Sequence, residues 1–82
     1  MNTKLNFKRY MQYFAKYQRS FKKSRYYLKK AERYLEKSKQ YPEKWKRYNE
    51  YRNRNIEKSK QYLKDAKRYL EFAKHELKIV RR

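Results

Sequence analysis

The first third of the chain carries ten Lys and Arg residues between positions 4 and 30 and no Asp or Glu. No carboxylate of the same segment can pair with them, so their side chains are available to an external polyanion. Duplex DNA carries one phosphate charge per about 1.7 Å of its axis. Contacts of Lys and Arg with phosphates provide affinity and salt dependence but do not read base sequence. The predicted phosphate contacts are Lys8, Arg9, Lys16, Arg19, Lys22, Lys23, Arg25, Lys29 and Lys30.

The chain also contains eleven tyrosines, and aromatic rings interleaved with cations can stack on unpaired bases. Packing explains most of them better, because seven occupy one position of a seven-residue repeat, where a ring can be buried while its hydroxyl stays in water. Tyr10 and Tyr17 occupy position d of the same buried stripe, whereas Tyr26 and Tyr51 fall off the stripe. These two are therefore the candidates for base stacking.

Catalytic and metal chemistry have little support in the residues. His75 is the only histidine, and together with Glu71 four residues earlier it would supply only two of the about four ligands of a structural metal site. The neighbouring Lys and Arg residues would also repel a metal cation. A chain without Gly cannot form a Gly-rich phosphate loop. We therefore expect no enzymatic activity, no catalytic residue, no metal, no cofactor and no small-molecule substrate.

The elements that position these side chains follow from a seven-residue unit, which is written twice between Tyr27 and Gln40 and extends in frame from Asn6 to Arg82. With Tyr27 at position g of a heptad, the positions a, d and g form the expected buried stripe. Position a holds Phe7, Phe14, Phe21, Leu28, Leu35, Pro42, Asn49, Ile56, Leu63, Leu70 and Leu77. Position d holds Tyr10, Tyr17, Ser24, Ala31, Ser38, Trp45, Arg52, Ser59, Ala66, Ala73 and Val80.

This pattern predicts an all-α protein: one domain over 1–82, folded as an antiparallel hairpin of two long amphipathic helices. The arms should span about 5–40 and 43–80, because Pro42 ends or kinks a helix. The polar segment 49–55 is either a second break or an exposed stretch of helix. A single kinked helix that oligomerises and a three-helix arrangement remain alternatives.

Within the hairpin, we expect position a of one arm to lie roughly against position d of the other, so that large side chains meet small ones. Phe14 and Phe21 would then meet Ala or Ser, and Trp45 would close the turn end. The wide stripe in so short a chain also favours self-association.

Acidic residues concentrate at position b, at Glu36, Glu43, Glu50, Glu57 and Glu71. A cation lies three or four residues after each of them, a spacing that pairs charges on a helix surface. In the first arm the same position holds Lys8, Lys22 and Lys29. The second arm is therefore partly charge-compensated, whereas the first is not.

Composition narrows the setting of the protein. The net charge is +19, and the chain has no Cys, no apolar run long enough to span a bilayer and no hydrophobic signal segment. We expect an intracellular or virion location, neither secreted nor transmembrane. The acid-free N-terminus overlaps with organellar transit peptides, so an organellar matrix is an alternative, although that segment shares the heptad frame of the rest.

These features favour a small basic architectural protein that binds DNA or RNA through the phosphate backbone and packages, coats or condenses it in many copies, as nucleoproteins of virions and chromatin-like proteins do. One alternative is a structural subunit of a ribosome or a membrane-bound complex. Another is a cationic amphipathic protein on a membrane surface, which the Tyr, Ala and Ser of the stripe disfavour.

Overall fold

The computed structural model describes the backbone of residues 3–81 and the side chains of residues 4–80. Helix α1 runs over Thr3–Gln40 and helix α2 over Trp45–Arg81, and a short 3-10 turn at Pro42–Lys44 joins them. The two helices pack against each other along their length, in a rod of 64 × 13 × 12 Å between Cα atoms. No strand occurs in the part of the chain that the structure describes. The predicted all-helical hairpin is confirmed.

The turn forms where Pro42 interrupts the helical hydrogen bonding. The backbone N–H of Tyr41 still donates to the carbonyl of Lys37 (2.9 Å), but Tyr41 itself leaves the helical region at φ −124° and ψ 75°. Pro42 then opens the 3-10 turn, where its missing N–H costs no helical bond. Trp45 is 51% exposed, so the prediction that it closes the turn end is wrong.

The segment 49–55 lies inside α2, so the predicted possible break there does not form. The side chain of Asn55 donates from Nδ2 to the carbonyl of Tyr51 (2.7 Å), one helical turn earlier. Asn49, Arg52 and Asn55 are also half-buried against α1. Tertiary packing thus outweighs the low helix propensity of these residues.

The seam between the helices is built from the small residues of position d. Ala31, Ala66 and Ala73 are buried, the last two at 1% exposure. Ser24 and Ser59 are buried opposite each other and exchange hydrogen bonds: each Oγ donates to the other residue's carbonyl, at 2.9 and 2.8 Å. Such short side chains allow the two backbones to approach closely.

Position d therefore faces position d, and the expected pairing of a with d is wrong. Stepping by heptads from the Ser24–Ser59 pair places Tyr17 across from Ala66 and Tyr10 across from Ala73. A large residue thus lies opposite a small one at these two levels, and each large residue is a tyrosine. Because the seam centres on d and g, position a moves to the rim of the contact.

Two long faces flank this seam. On one, positions g and c of both helices meet; we call it the tyrosine face. Its contacts across the seam include Tyr13–Phe72, Tyr27–Tyr62 and Tyr34–Tyr48. Position a lies on the other side of d, so the a residues of both helices share the opposite face, which we call the apolar face. There Phe7, Phe21, Leu28 and Leu63 are exposed, and Phe14, Leu35, Ile56, Leu70 and Leu77 are half-buried.

Candidate nucleic-acid interface

Eight of the nine predicted phosphate contacts lie on one side of α1. They occupy positions b, f and c, which span about 100° of the helix surface at 3.6 residues per turn. Arg25, at position e, lies outside this sector, toward the apolar face. All nine side chains are exposed except Lys30, which is half-buried. A polyanion along the outer side of α1 can therefore reach eight of them, and their role as phosphate contacts stays a prediction.

Position c supplies a straight row of cations at the edge of the tyrosine face. Successive members are seven residues, or about 10 Å, apart along α1. On α1 the row comprises Arg9, Lys16, Lys23, Lys30 and Lys37, and Lys44 continues the spacing of seven into the 3-10 turn. Lys37 and Lys44 were not among the predicted contacts, although the spacing of seven from Arg9 would have identified them.

Several of these ammonium groups lie over tyrosine rings. Lys16 Nζ lies 5.7 Å from the ring centroid of Tyr69, and Lys23 Nζ 5.4 Å from that of Tyr62, both across the seam. In the reverse direction, Lys58 of α2 lies 5.3 Å from the ring centroid of Tyr27. Exposed cation–π contacts of this kind contribute about 0.5–1 kcal/mol each. They restrict the lysines to one face while leaving their N–H groups able to donate to phosphates.

The ion pairs among the described side chains lie outside residues 4–30. They join Glu36 to Lys39, Glu57 to Lys60 and Glu71 to Lys74, each at 3.9 Å and three residues apart. The position-b prediction is confirmed for these three pairs. All six side chains are largely exposed, so each pair contributes only about 0.2–0.5 kcal/mol. No described cation of residues 4–30 has such a partner in the structure.

Tyr26 lies in the middle of the cationic sector and is 54% exposed. As an f residue it is flanked on the helix surface by Lys22 and Lys23 on one side and Lys29 and Lys30 on the other. Lys30 Nζ lies 5.4 Å from its ring centroid, while Tyr27 contacts it edge-on at 5.2 Å. One face of an exposed ring among cations suits a stacked base.

Tyr51 does not have the exposure expected of it. Its ring is half-buried and packs on Tyr34 at 5.3 Å, with the guanidinium of Arg54 5.9 Å from its centroid. Sequence reasoning placed it off the buried stripe because position c was not counted in the interface. Tyr51 is thus a packing residue of the tyrosine face.

The seven tyrosines of position g pack largely as predicted. Six are half-buried along the tyrosine face, namely Tyr13, Tyr27, Tyr34, Tyr48, Tyr62 and Tyr69. Tyr27 and Tyr62 are stacked almost parallel, with 5.6 Å between centroids and 3° between planes. Tyr41, beside the turn, is exposed. These rings serve mainly to hold the two helices together.

Two further possibilities are a metal site and a membrane-spanning helix. No cluster of three or more His, Cys, Asp or Glu that could hold a metal ion occurs within the described residues. Neither helix, over its described length, is long and apolar enough to cross a membrane. Comparison with known proteins adds no assignment, since no protein-family model, no curated protein and no solved structure matches the chain.

Proposed function

We propose that the protein is a small, non-catalytic architectural protein that binds nucleic acid through the phosphate backbone without strong sequence specificity. The proposal is supported chiefly by the ten uncompensated cations of residues 4–30, which lie along about 40 Å of one stiff helix. It would coat, condense or package DNA or RNA in many copies, as a nucleoprotein of a virion or a chromatin-like protein does. We propose an intracellular or virion location for this role.

Salt dependence is the first test. A protein that neutralises about six to ten phosphates loses about 10³- to 10⁵-fold in affinity between 50 and 200 mM salt. Fluorescence anisotropy with duplex DNA, single-stranded DNA and RNA of several sequences would measure this slope and any preference among the three. Affinity that does not change with salt would eliminate the proposal.

A matched pair of triple variants tests whether α1 carries the binding. Replacing Arg9, Lys16 and Arg19 by Gln should lower the slope of log affinity against log salt by about 3. The control replaces Arg47, Lys58 and Arg68 of α2 by Gln. It also removes two Arg and one Lys, and each set contains one lysine held over a tyrosine ring across the seam.

The control slope should change by less than about 1. Equal losses in the two triple variants would show that net charge attracts the polyanion and that α1 is not the interface. Circular dichroism of both variants confirms that the helices are retained.

Tyr26 separates single-strand from duplex binding. Loss of a ring that stacks on a base costs about 1–3 kcal/mol, whereas duplex DNA offers no unpaired base to stack on. Tyr26→Ala should therefore weaken binding to single strands about tenfold or more and leave duplex affinity unchanged. An equal loss on both would assign the ring to helix packing.

The exposed apolar face favours a second candidate, a structural subunit of a larger assembly. In a ribosome or a membrane-bound complex, the cations would neutralise RNA or acidic neighbours, and neighbouring subunits would cover Phe7, Leu28 and Leu63. A subunit should co-purify with one complex at fixed stoichiometry. A packaging protein should instead be recovered in proportion to nucleic acid mass.

A further inference from the structure

The centre of the tyrosine face is a symmetric arrangement of two tyrosines and two lysines. Tyr27 of α1 and Tyr62 of α2 stack almost parallel, with 5.6 Å between their ring centroids. Lys23 Nζ of α1 lies 5.4 Å from the centroid of Tyr62, and Lys58 Nζ of α2 lies 5.3 Å from the centroid of Tyr27. Each helix thus supplies one ring of the stack and one ammonium group that lies over the ring of the other helix.

The contact of Lys23 with a ring of α2 recurs one heptad closer to the chain ends. Lys16, seven residues before Lys23, lies with its Nζ 5.7 Å from the centroid of Tyr69, which is seven residues after Tyr62. Both contacts join position c of α1 to position g of α2. Rings of the second arm therefore lie against two successive cations of the first arm.

The position-c rows of the two helices differ in charge. On α1, between positions 9 and 37, the row consists of Arg9, Lys16, Lys23, Lys30 and Lys37. On α2, between positions 51 and 79, it consists of Tyr51, Lys58, Asp65, Phe72 and Ile79. A polyanion along the row of α1 meets a cation about every 10 Å. Along the row of α2 it would meet one cation and be repelled by the carboxylate of Asp65.

We propose that Tyr62 and Tyr69 of α2 are positioning residues for nucleic acid, because their rings hold the ammonium groups of Lys23 and Lys16 in the row with which α1 binds phosphates. This inference rests on the proposed function. It gives the second arm a role in binding that does not depend on the charges of that arm.

The physical reason is the cost of ordering a lysine. A free lysine side chain loses rotamer freedom when its ammonium group binds a phosphate. A lysine that already lies over a ring loses less, because part of that ordering is present in the free protein. The ammonium group has three N–H donors, so it can face the ring and still donate to a phosphate oxygen. Tyr62 and Tyr69 therefore raise the affinity without adding charge.

Tyr62 and Tyr27 form a matched pair for the test, because each ring stacks on the other and each has a lysine of the opposite helix over it. Tyr62→Leu should weaken binding to duplex DNA about two- to fivefold, the equivalent of one exposed cation–π contact. Tyr27→Leu removes the same stack but releases Lys58, which lies outside the phosphate row, so it should bind as the wild type does.

Fluorescence anisotropy at one salt concentration measures these affinities, at a temperature where circular dichroism shows that every variant is folded. Duplex DNA is the probe because the stacking proposed for Tyr26, which contacts Tyr27, requires an unpaired base. Equal affinities of the Tyr62→Leu and Tyr27→Leu proteins would overturn the proposal, since a purely structural role predicts the same result for both.

Tyr62→Phe tests whether the ring itself is responsible. Phenylalanine keeps the aromatic face that attracts the ammonium group, so this variant should bind as the wild type does. A loss as large as that of Tyr62→Leu would assign the effect to the hydroxyl group and would contradict positioning by the ring.

A double-mutant cycle identifies the lysine through which Tyr62 acts. Once Lys23 is replaced by Gln, Tyr62→Leu should cause no further loss of affinity. Tyr69→Leu should depend on Lys16 in the same way. In the control cycle, Tyr62→Leu and Lys22→Gln should have additive effects, because Lys22 lies at position b on the other side of the cationic sector.

The outcomes for this inference and for the proposed function are distinguishable. A wild type that does not bind duplex DNA, or binds it independently of salt, would overturn the proposed function and this inference with it. Salt-dependent binding of the wild type together with additive effects of Tyr62→Leu and Lys23→Gln would overturn the positioning role alone.

Discussion

The tyrosine face and the apolar face flank the same seam, but the ring contacts across the seam lie on the tyrosine face. On the tyrosine face, Tyr27 stacks on Tyr62, and Lys23 lies over the ring of Tyr62 from the opposite helix. On the apolar face, Leu28 and Leu63 are exposed. The difference teaches that an apolar residue in a heptad frame is not necessarily a core residue, because its burial depends on where the seam is centred.

Ring contacts on the apolar side run along α1 instead of across the seam. Phe7, Tyr10, Phe14, Tyr17 and Phe21 form an unbroken series with 5.7–6.0 Å between successive ring centroids. Each step is three or four residues, which is the spacing of neighbours on one helix. This series stiffens the first arm and presents aromatic surface outward.

The largest expected effect comes from widening the seam on which both faces depend. Ala66 is 1% exposed and lies across from Tyr17, so Ala66→Leu should force the helices apart. We expect the free energy of unfolding to fall by about 1–3 kcal/mol, the range for overpacked cores. Urea denaturation followed by circular dichroism measures it.

Lys67→Leu is the control for this substitution, because the neighbouring side chain is exposed. It should change the free energy of unfolding by no more than about 0.5 kcal/mol. Similar stability of the two variants would mean that the seam is not closely packed at Ala66.

An intermediate effect is expected on the tyrosine face. A double-mutant cycle with Tyr27→Leu and Tyr62→Leu should give a coupling energy of about 0.5–1.5 kcal/mol, because the two rings stack across the seam. The control cycle pairs Tyr27→Leu with Leu63→Ala, which lies on the other face. Its coupling should be near zero, and a coupling equal to that of the tyrosine pair would contradict the division into two faces.

The smallest effect is expected on the outer side of α2, away from the seam. Glu57→Gln removes the exposed ion pair with Lys60 and should lower the free energy of unfolding by about 0.2–0.5 kcal/mol. This loss should vanish in 1 M salt, where the Debye length is about 3 Å. Glu32→Gln, which breaks no ion pair in the structure, should have no measurable effect in the same denaturation experiment. A larger loss that persists in salt would show that Glu57 does more than pair on a solvated surface.

Much of the architecture was predictable because it depends on local rules. The period of seven and the absence of Gly predict long helices, and Pro42 predicts the position of the turn. The pairs of Glu36 and Glu57 with a Lys three residues later follow from helix spacing alone. The exposure of the N-terminal cations was equally predictable, since Lys and Arg are seldom buried without a partner.

The segment 49–55 and the ring of Tyr51 could not be predicted in this way. Asn49 at position a and Arg52 at position d left both a break and an exposed stretch of helix open, and the segment is helical with both residues half-buried. Tyr51 packs on Tyr34 because position c adjoins g on the helix surface. Both depend on the neighbouring helix, which local propensity does not describe.

The amino-acid sequence by itself determined two helices, their joint at Pro42, and a cationic first arm. Only the tertiary structure decided which residues of the stripe are buried. The contact between the helices uses four adjacent positions, c, g, d and a, and periodicity does not specify which of them lies at its centre. Ala66, Ala73 and the Ser24–Ser59 pair allow the helices to approach closely at d, and that short distance leaves Phe7 and Leu28 outside the contact.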